Sequence, residues 1–106
     1  MIPEISVLDL SQRLAQPEPP AIIDVREADE YEYAHIEGAL LKPLDDIEQW
    51  ASELDREGEY VLQCHSGGRS GYATAYLQSL GFKRVFNLRG GIDAWSRQID
   101  PNVPRY

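Results

Sequence analysis

One segment of this sequence combines a nucleophile with the means to ionise it: Tyr60-Val61-Leu62-Gln63-Cys64-His65-Ser66-Gly67-Gly68-Arg69-Ser70. The apolar run ending at Gln63 reads as a buried strand, and a helix begins near Ser70. Between them lies a Gly-rich turn opened by Cys64. Gly67 and Gly68 can adopt positive φ, so the backbone curls without a Cβ clash. A curled loop points successive N–H groups inward as an anion-binding nest. The helix start adds free N–H groups and the positive end of a dipole. Both favour Cys64 as a thiolate, its reactive form. A free cysteine at a strand end is, taken alone, more often a small buried hydrophobe. The paired glycines and the helix start reverse that preference.

The other residues of the turn have narrower expected roles. A thiolate held by amides needs no general base, unlike a serine nucleophile. His65 is therefore expected at the pocket mouth, turned to solvent, where it can tune substrate choice. Arg69 is permanently charged. It either points inward at an anion, which is the preferred reading, or braces the loop from outside. Ser66 and Ser70 are polar members of the same loop.

The elements that must position this loop alternate along the chain. Short apolar runs at Ile5–Val7, Ala21–Val25, Ala39–Lys42, Tyr60–Gln63 and Arg84–Leu88 read as buried parallel strands. Helical spacing is predicted over Val7–Ala15, Asp29–His35, Asp45–Leu54 and Ser70–Leu80, with Gly81 placed to end the last of these. Gly90-Gly91 opens a final helix carrying Ile92, Trp95 and Ile99. The pattern predicts an α/β fold with a mostly parallel central sheet and helices on both faces. Cys64 then falls at the carboxyl end of a strand, where open α/β sheets bind ligands. The tail Pro101–Tyr106 is expected to be irregular.

Composition narrows the classes of function. The chain has 106 residues, which suits one domain spanning 1–106. Its net charge of -8 opposes nucleic acid and anionic membranes as partners. The same field opposes small anions, so an anion site needs local compensation. The single cysteine rules out an intrachain disulfide, a CxxC pair and a multi-cysteine zinc site. Asp45, Asp46 and Glu48 read as dipole-complementing carboxylates at a helix start and lack metal-site spacing. No metal and no cofactor are implied. A lone thiol and an N-terminus without signal-peptide character suggest a cytoplasmic protein.

The turn CHSGGRS resembles the active loop of rhodanese-like sulfurtransferases, whose catalytic cysteine opens a six-residue loop, here Cys64 to Arg69. Ile22-Ile23-Asp24-Val25-Arg26, Glu30-Tyr31 and His35-Ile36-Glu37-Gly38-Ala39 resemble the family's first signature, with Ala34 standing where glycine is usual. Leu88-Arg89-Gly90-Gly91 with Trp95 is similar to its closing signature. The resemblance implies that Cys64 carries sulfur as a persulfide, taken from a small anion such as thiosulfate or from a protein persulfide. A thiol, cyanide or a sulfur-carrier protein then receives it. Asp24 and Arg26 are implied as loop supports, with Arg26 expected to pair with Glu27 or Glu30, and His35 is implied as a brace. Related phosphatases of this fold use a Cys-x5-Arg loop one residue longer. A phosphatase or arsenate reductase is therefore the less favoured reading. A persulfide relay for cofactor or tRNA thiolation and a non-catalytic binding module remain as alternatives.

Overall fold

The computed structural model describes residues 2–106. In chain order the elements are β1 (Glu4–Ile5), α1 (Val7–Leu14), β2 (Ala21–Asp24), α2 (Ala28–Tyr33), β3 (Leu40–Leu41), α3 (Ile47–Glu53), β4 (Glu59–Gln63), α4 (Gly68–Ser79), β5 (Arg84–Leu88) and α5 (Gly91–Gln98). A 3₁₀ turn, Leu44–Asp46, leads into α3. The five strands form one sheet in the order β1-β5-β4-β2-β3, and every pairing is parallel.

Alternation along the strands divides the core in two. Ile23, Leu62 and Val85 pack with Ile47, Trp50 and Ala51 of α3 and Ala73 and Leu77 of α4. Their neighbours Ile22, Val61 and Leu88 pack on the opposite face with Val7 and Leu10 of α1 and Ile92 and Trp95 of α5. Both faces are covered, which explains why the strands read as continuous apolar runs. The arrangement also fixes register. A one-residue slip of β4 against β2 would exchange the side chains sent to each face.

The boundaries depart from the sequence reading for local reasons. The first strand ends at Ile5, not Val7, because Ser6 caps α1: its hydroxyl accepts the Asp9 N–H at 3.0 Å. β3 shrinks from Ala39–Lys42 to Leu40–Leu41. Its position at the sheet edge leaves it one partner only, β2. The helix foreseen from Asp45 begins as the 3₁₀ turn. α4 begins at Gly68, two residues before Ser70, because Gly67 turns the chain at φ 117 and serves as its N-cap.

β2 and β4 are neighbours, but the chain leaves them toward opposite edges, to β3 and to β5. The crevice beyond their carboxyl ends is where such sheets bind ligands. Cys64 follows β4, and the Asp24–Arg26 segment follows β2. The topology therefore brings two distant sequence motifs to one place.

Candidate active site

The Cys64 sulfur lies inside the turn that the sequence singles out, and its residue is only 2% exposed. The Gly67 N–H points at Sγ from 3.2 Å and the Ser70 N–H from 3.4 Å. Ser70 is the third helical residue of α4, so its N–H has no partner within the helix and is free to face the sulfur. The Ser70 hydroxyl lies 3.3 Å from Sγ. Burial pushes the Cys64 thiol up, but hydrogen bonds from the Ser70 hydroxyl and from the Ser70, Gly67 and Ser66 amides outweigh it. The net effect is a thiol more acidic than usual. The 12-residue helix α4 directs its positive end at the same atom.

The closing glycine pair is part of this construction. Ile92 N–H donates to the Cys64 carbonyl at 2.9 Å, and Asp93 N–H donates to the His65 carbonyl at 3.1 Å. The start of α5 thus docks directly onto the backbone of the loop. Gly91 has φ 57, and a Cβ there would collide with both carbonyl oxygens. The close approach of two backbones is the physical reason for glycine at this position.

Asp24 and Arg26 follow β2, where Val25 N–H donates to the Gln63 carbonyl at the end of β4, and their pairing differs from the expected one. Arg26 pairs with Asp24, not with the carboxylates of Glu27 or Glu30. Both side chains are fully buried. Asp24 Oδ1 accepts the Arg26 N–H at 3.1 Å and Nε–H at 2.9 Å, and Oδ2 accepts from Nη2 at 2.7 Å. Arg26 also donates to the Ala34 carbonyl at 2.7 Å and to the Tyr106 hydroxyl at 2.7 Å. Burial works against the guanidinium charge, yet the bonds to Asp24 and Tyr106 hold its pKa above the ordinary value. This pair is a buried, multiply bonded strut.

Two further expectations change. His65 is half-buried and not free in solvent. Its ring stacks on Tyr106 at a centroid distance of 4.3 Å and an interplanar angle of 16°. The guanidinium of Arg69 does not stand free in the pocket. It forms a two-pronged pair with Glu30 of α2, at 2.8 and 3.0 Å. The hydrogen bonds from Arg69 pull the Glu30 carboxyl down to about 2. Glu30 also accepts the Glu27 N–H at 3.1 Å and the Tyr106 hydroxyl at 2.9 Å. One carboxylate therefore ties together α2, the loop and the tail. His35 is exposed, stacked on Tyr31 at 4.2 Å, with Nδ1 2.9 Å from the Tyr31 carbonyl.

Three residues near the loop escaped the sequence reading as site residues. Glu30 was visible only as part of a signature. Asn87, at the end of β5, holds the Gly67 carbonyl at 3.2 Å and faces the Ser70 hydroxyl at 2.6 Å. Its place just before Leu88-Arg89-Gly90-Gly91 was the available signal. Tyr106 had none, since the tail carries no pattern. Among the described residues, no group of three or more His, Cys, Asp or Glu side chains could hold a metal, and no helix is long and apolar enough to cross a membrane.

A parallel five-stranded sheet with a cysteine cradled by amides beyond its central strand defines a class of thiol-chemistry domains. The rhodanese-like domain model matches residues 6–98, and the chain belongs to that family. It is 43% identical to a sulfurtransferase of Allochromatium vinosum over 97% of this chain and 96% of that one. It is 42% identical to the putative sulfur carrier protein YrkF of Bacillus subtilis, covering 93% of this chain and 54% of that longer protein. A rhodanese-like domain protein from Staphylococcus aureus superposes with a TM-score of 0.85 at 28% identity, over 99% of both chains.

Proposed function

We propose that this protein moves sulfane sulfur through a persulfide on Cys64. The observation that carries the reading is the cradle around Sγ, with two backbone N–H groups and the Ser70 hydroxyl at 3.2 to 3.4 Å. In the first step the thiolate attacks the outer sulfur of a donor. With thiosulfate, the sulfur–sulfur bond breaks, sulfite leaves with the bonding pair, and Cys64 keeps the transferred sulfur as a persulfide anion. In the second step an acceptor thiolate or cyanide attacks that outer sulfur, and the Cys64 thiolate returns. No oxidant is required, because the sulfane sulfur passes between nucleophiles as in thiol–disulfide exchange. The two steps replace one direct transfer by a covalent intermediate. The amides stabilise the Cys64 thiolate, which attacks in the first step and leaves in the second.

The donor is thiosulfate or a persulfide, and the acceptor is a thiol, cyanide or a sulfur-carrier protein. The likeness to a putative sulfur carrier supports a relay between proteins as the second reading. Residues 1–106 act as one unit in this proposal, in the cytoplasm, with no cofactor. Four residues separate Cys64 from Arg69, one fewer than in the phosphatase loop, which disfavours phosphate ester hydrolysis.

The test is thiocyanate formation from cyanide and a sulfane donor, run beside hydrolysis of an aryl phosphate. Thiocyanate release that Cys64→Ser abolishes is the expected result. Phosphate release without thiocyanate would replace this reading by the phosphatase one.

A further inference from the structure

The charges around the loop are paired in a way that bears on which donor it accepts. Four loop residues, Ser66, Gly67, Gly68 and Ser70, carry no charge. Arg26 is fully buried against Asp24. Arg69 is the one arginine in the loop, and both prongs of its guanidinium are occupied by Glu30, at 2.8 and 3.0 Å. Planar, two-bonded pairing of this kind fixes orientation as well as charge. Glu30 is itself held in place by the Glu27 N–H and the Tyr106 hydroxyl. Three groups thus hold the carboxylate: the Arg69 guanidinium, the Glu27 N–H and the Tyr106 hydroxyl.

The consequence depends on the charge of the donor. Thiosulfate carries two negative charges and would approach a chain of net charge -8. An unpaired Arg69 would offset that repulsion locally, whereas the Arg69–Glu30 pair presents only a dipole. A small persulfide carries one negative charge at most. It needs no second cation.

We propose that Glu30 is a specificity-determining residue which, by holding Arg69, turns the site from dianionic thiosulfate toward persulfide donors. This inference rests on the sulfur-transfer reading of Cys64. Glu30 acts through Arg69 and is a positioning residue, without contact to the sulfur being transferred.

The experiment compares kcat/KM for thiosulfate and for cysteamine persulfide, whose ammonium group offsets its persulfide charge, at two salt concentrations. The wild-type protein should prefer the persulfide. Glu30→Gln keeps the size of the side chain and removes its charge, so the thiosulfate-to-persulfide ratio should rise about tenfold, chiefly through KM for thiosulfate. The thiosulfate reaction should also become more sensitive to salt. In an Arg69→Met background the same change should leave the ratio where it was. Glu30→Asp, which draws the carboxylate back by one methylene, should raise the ratio by a smaller factor and serves if the Gln variant does not fold. An unchanged ratio in an active, folded variant overturns the inference. So does an equal rise in the Arg69→Met background, which would assign the effect to the bare charge of Glu30. Wild-type protein inactive with both donors would instead overturn the sulfur-transfer reading, and the inference with it.

Discussion

Asn87 Oδ1 lies 2.6 Å from Ser70 Oγ, the same oxygen that stands 3.3 Å from Cys64 Sγ. The Ser70 hydroxyl has one proton and two acceptors. Asn87 cannot reverse its amide to relieve this competition, because Nδ2 donates to the Gly67 carbonyl at 3.2 Å. A proton given to Asn87 is withheld from the sulfur, so the two acceptors compete for one donor. Asn87 therefore holds the serine in place and also weakens its pull on the cysteine.

The first prediction follows from that competition. Ser70→Ala removes one of the groups that lower the Cys64 pKa and leaves the amides in place. A hydrogen bond to a charged group is stronger than one between neutral partners, and the competing acceptor reduces it. The Cys64 pKa should rise toward that of an ordinary thiol, read from the pH dependence of iodoacetamide alkylation. The sign is fixed: the lost donor favoured the anion, so the variant needs a higher pH to react. An unshifted profile would mean that the amides alone set the acidity.

The second prediction concerns the buried strut. Arg26→Met leaves the Asp24 carboxylate without its guanidinium partner in a place fully closed to water. Breaking one half of a buried pair costs about 3–5 kcal/mol. Urea denaturation should show a loss of that size. Replacing both residues with apolar ones should cost much less, since no charge is then stranded. A loss below about 1 kcal/mol in the single variant would show that the strut is not a structural requirement.

The third prediction uses the contact between the loop and α5. Gly91→Ala places a methyl against the Cys64 and His65 carbonyls and imposes an unfavourable φ. The loop must shift, so both the amide cradle and the start of α5 suffer. Alkylation of Cys64 should lose its low-pH reactivity, and thermal stability should fall. Gly68→Ala is the control, because a Cβ there meets nothing within 4 Å. It should leave both properties close to wild type.

Much of this site was legible in the sequence, for reasons specific to each residue. Cys64, Gly67 and Ser70 act through local geometry: a strand end, a turn needing positive φ and a free helical N–H. Such features are readable within a dozen residues. The sheet was legible because buried parallel strands are apolar throughout and helices fill the intervals. What could not be read is the pairing across the fold. Arg26 pairs with Asp24 because both are fully buried, where a charge must be matched by a close carboxylate. Arg69 met Glu30 because β2 and β4 are neighbours, so α2 lies beside the loop although 39 residues separate the pair. Tyr106 reached His65 through the path of a tail that carries no periodic signal.

Sulfur uptake by Cys64 is the step on which everything else depends. Purified protein, reduced and then exposed briefly to cysteamine persulfide or to thiosulfate, should gain the mass of one sulfur atom in intact-protein mass spectrometry. The persulfide should form more fully than thiosulfate can form it, cyanide should remove the added mass, and Cys64→Ser should show no gain. A protein that acquires no sulfur from either donor, or that acquires it equally with serine at position 64, would contradict the account.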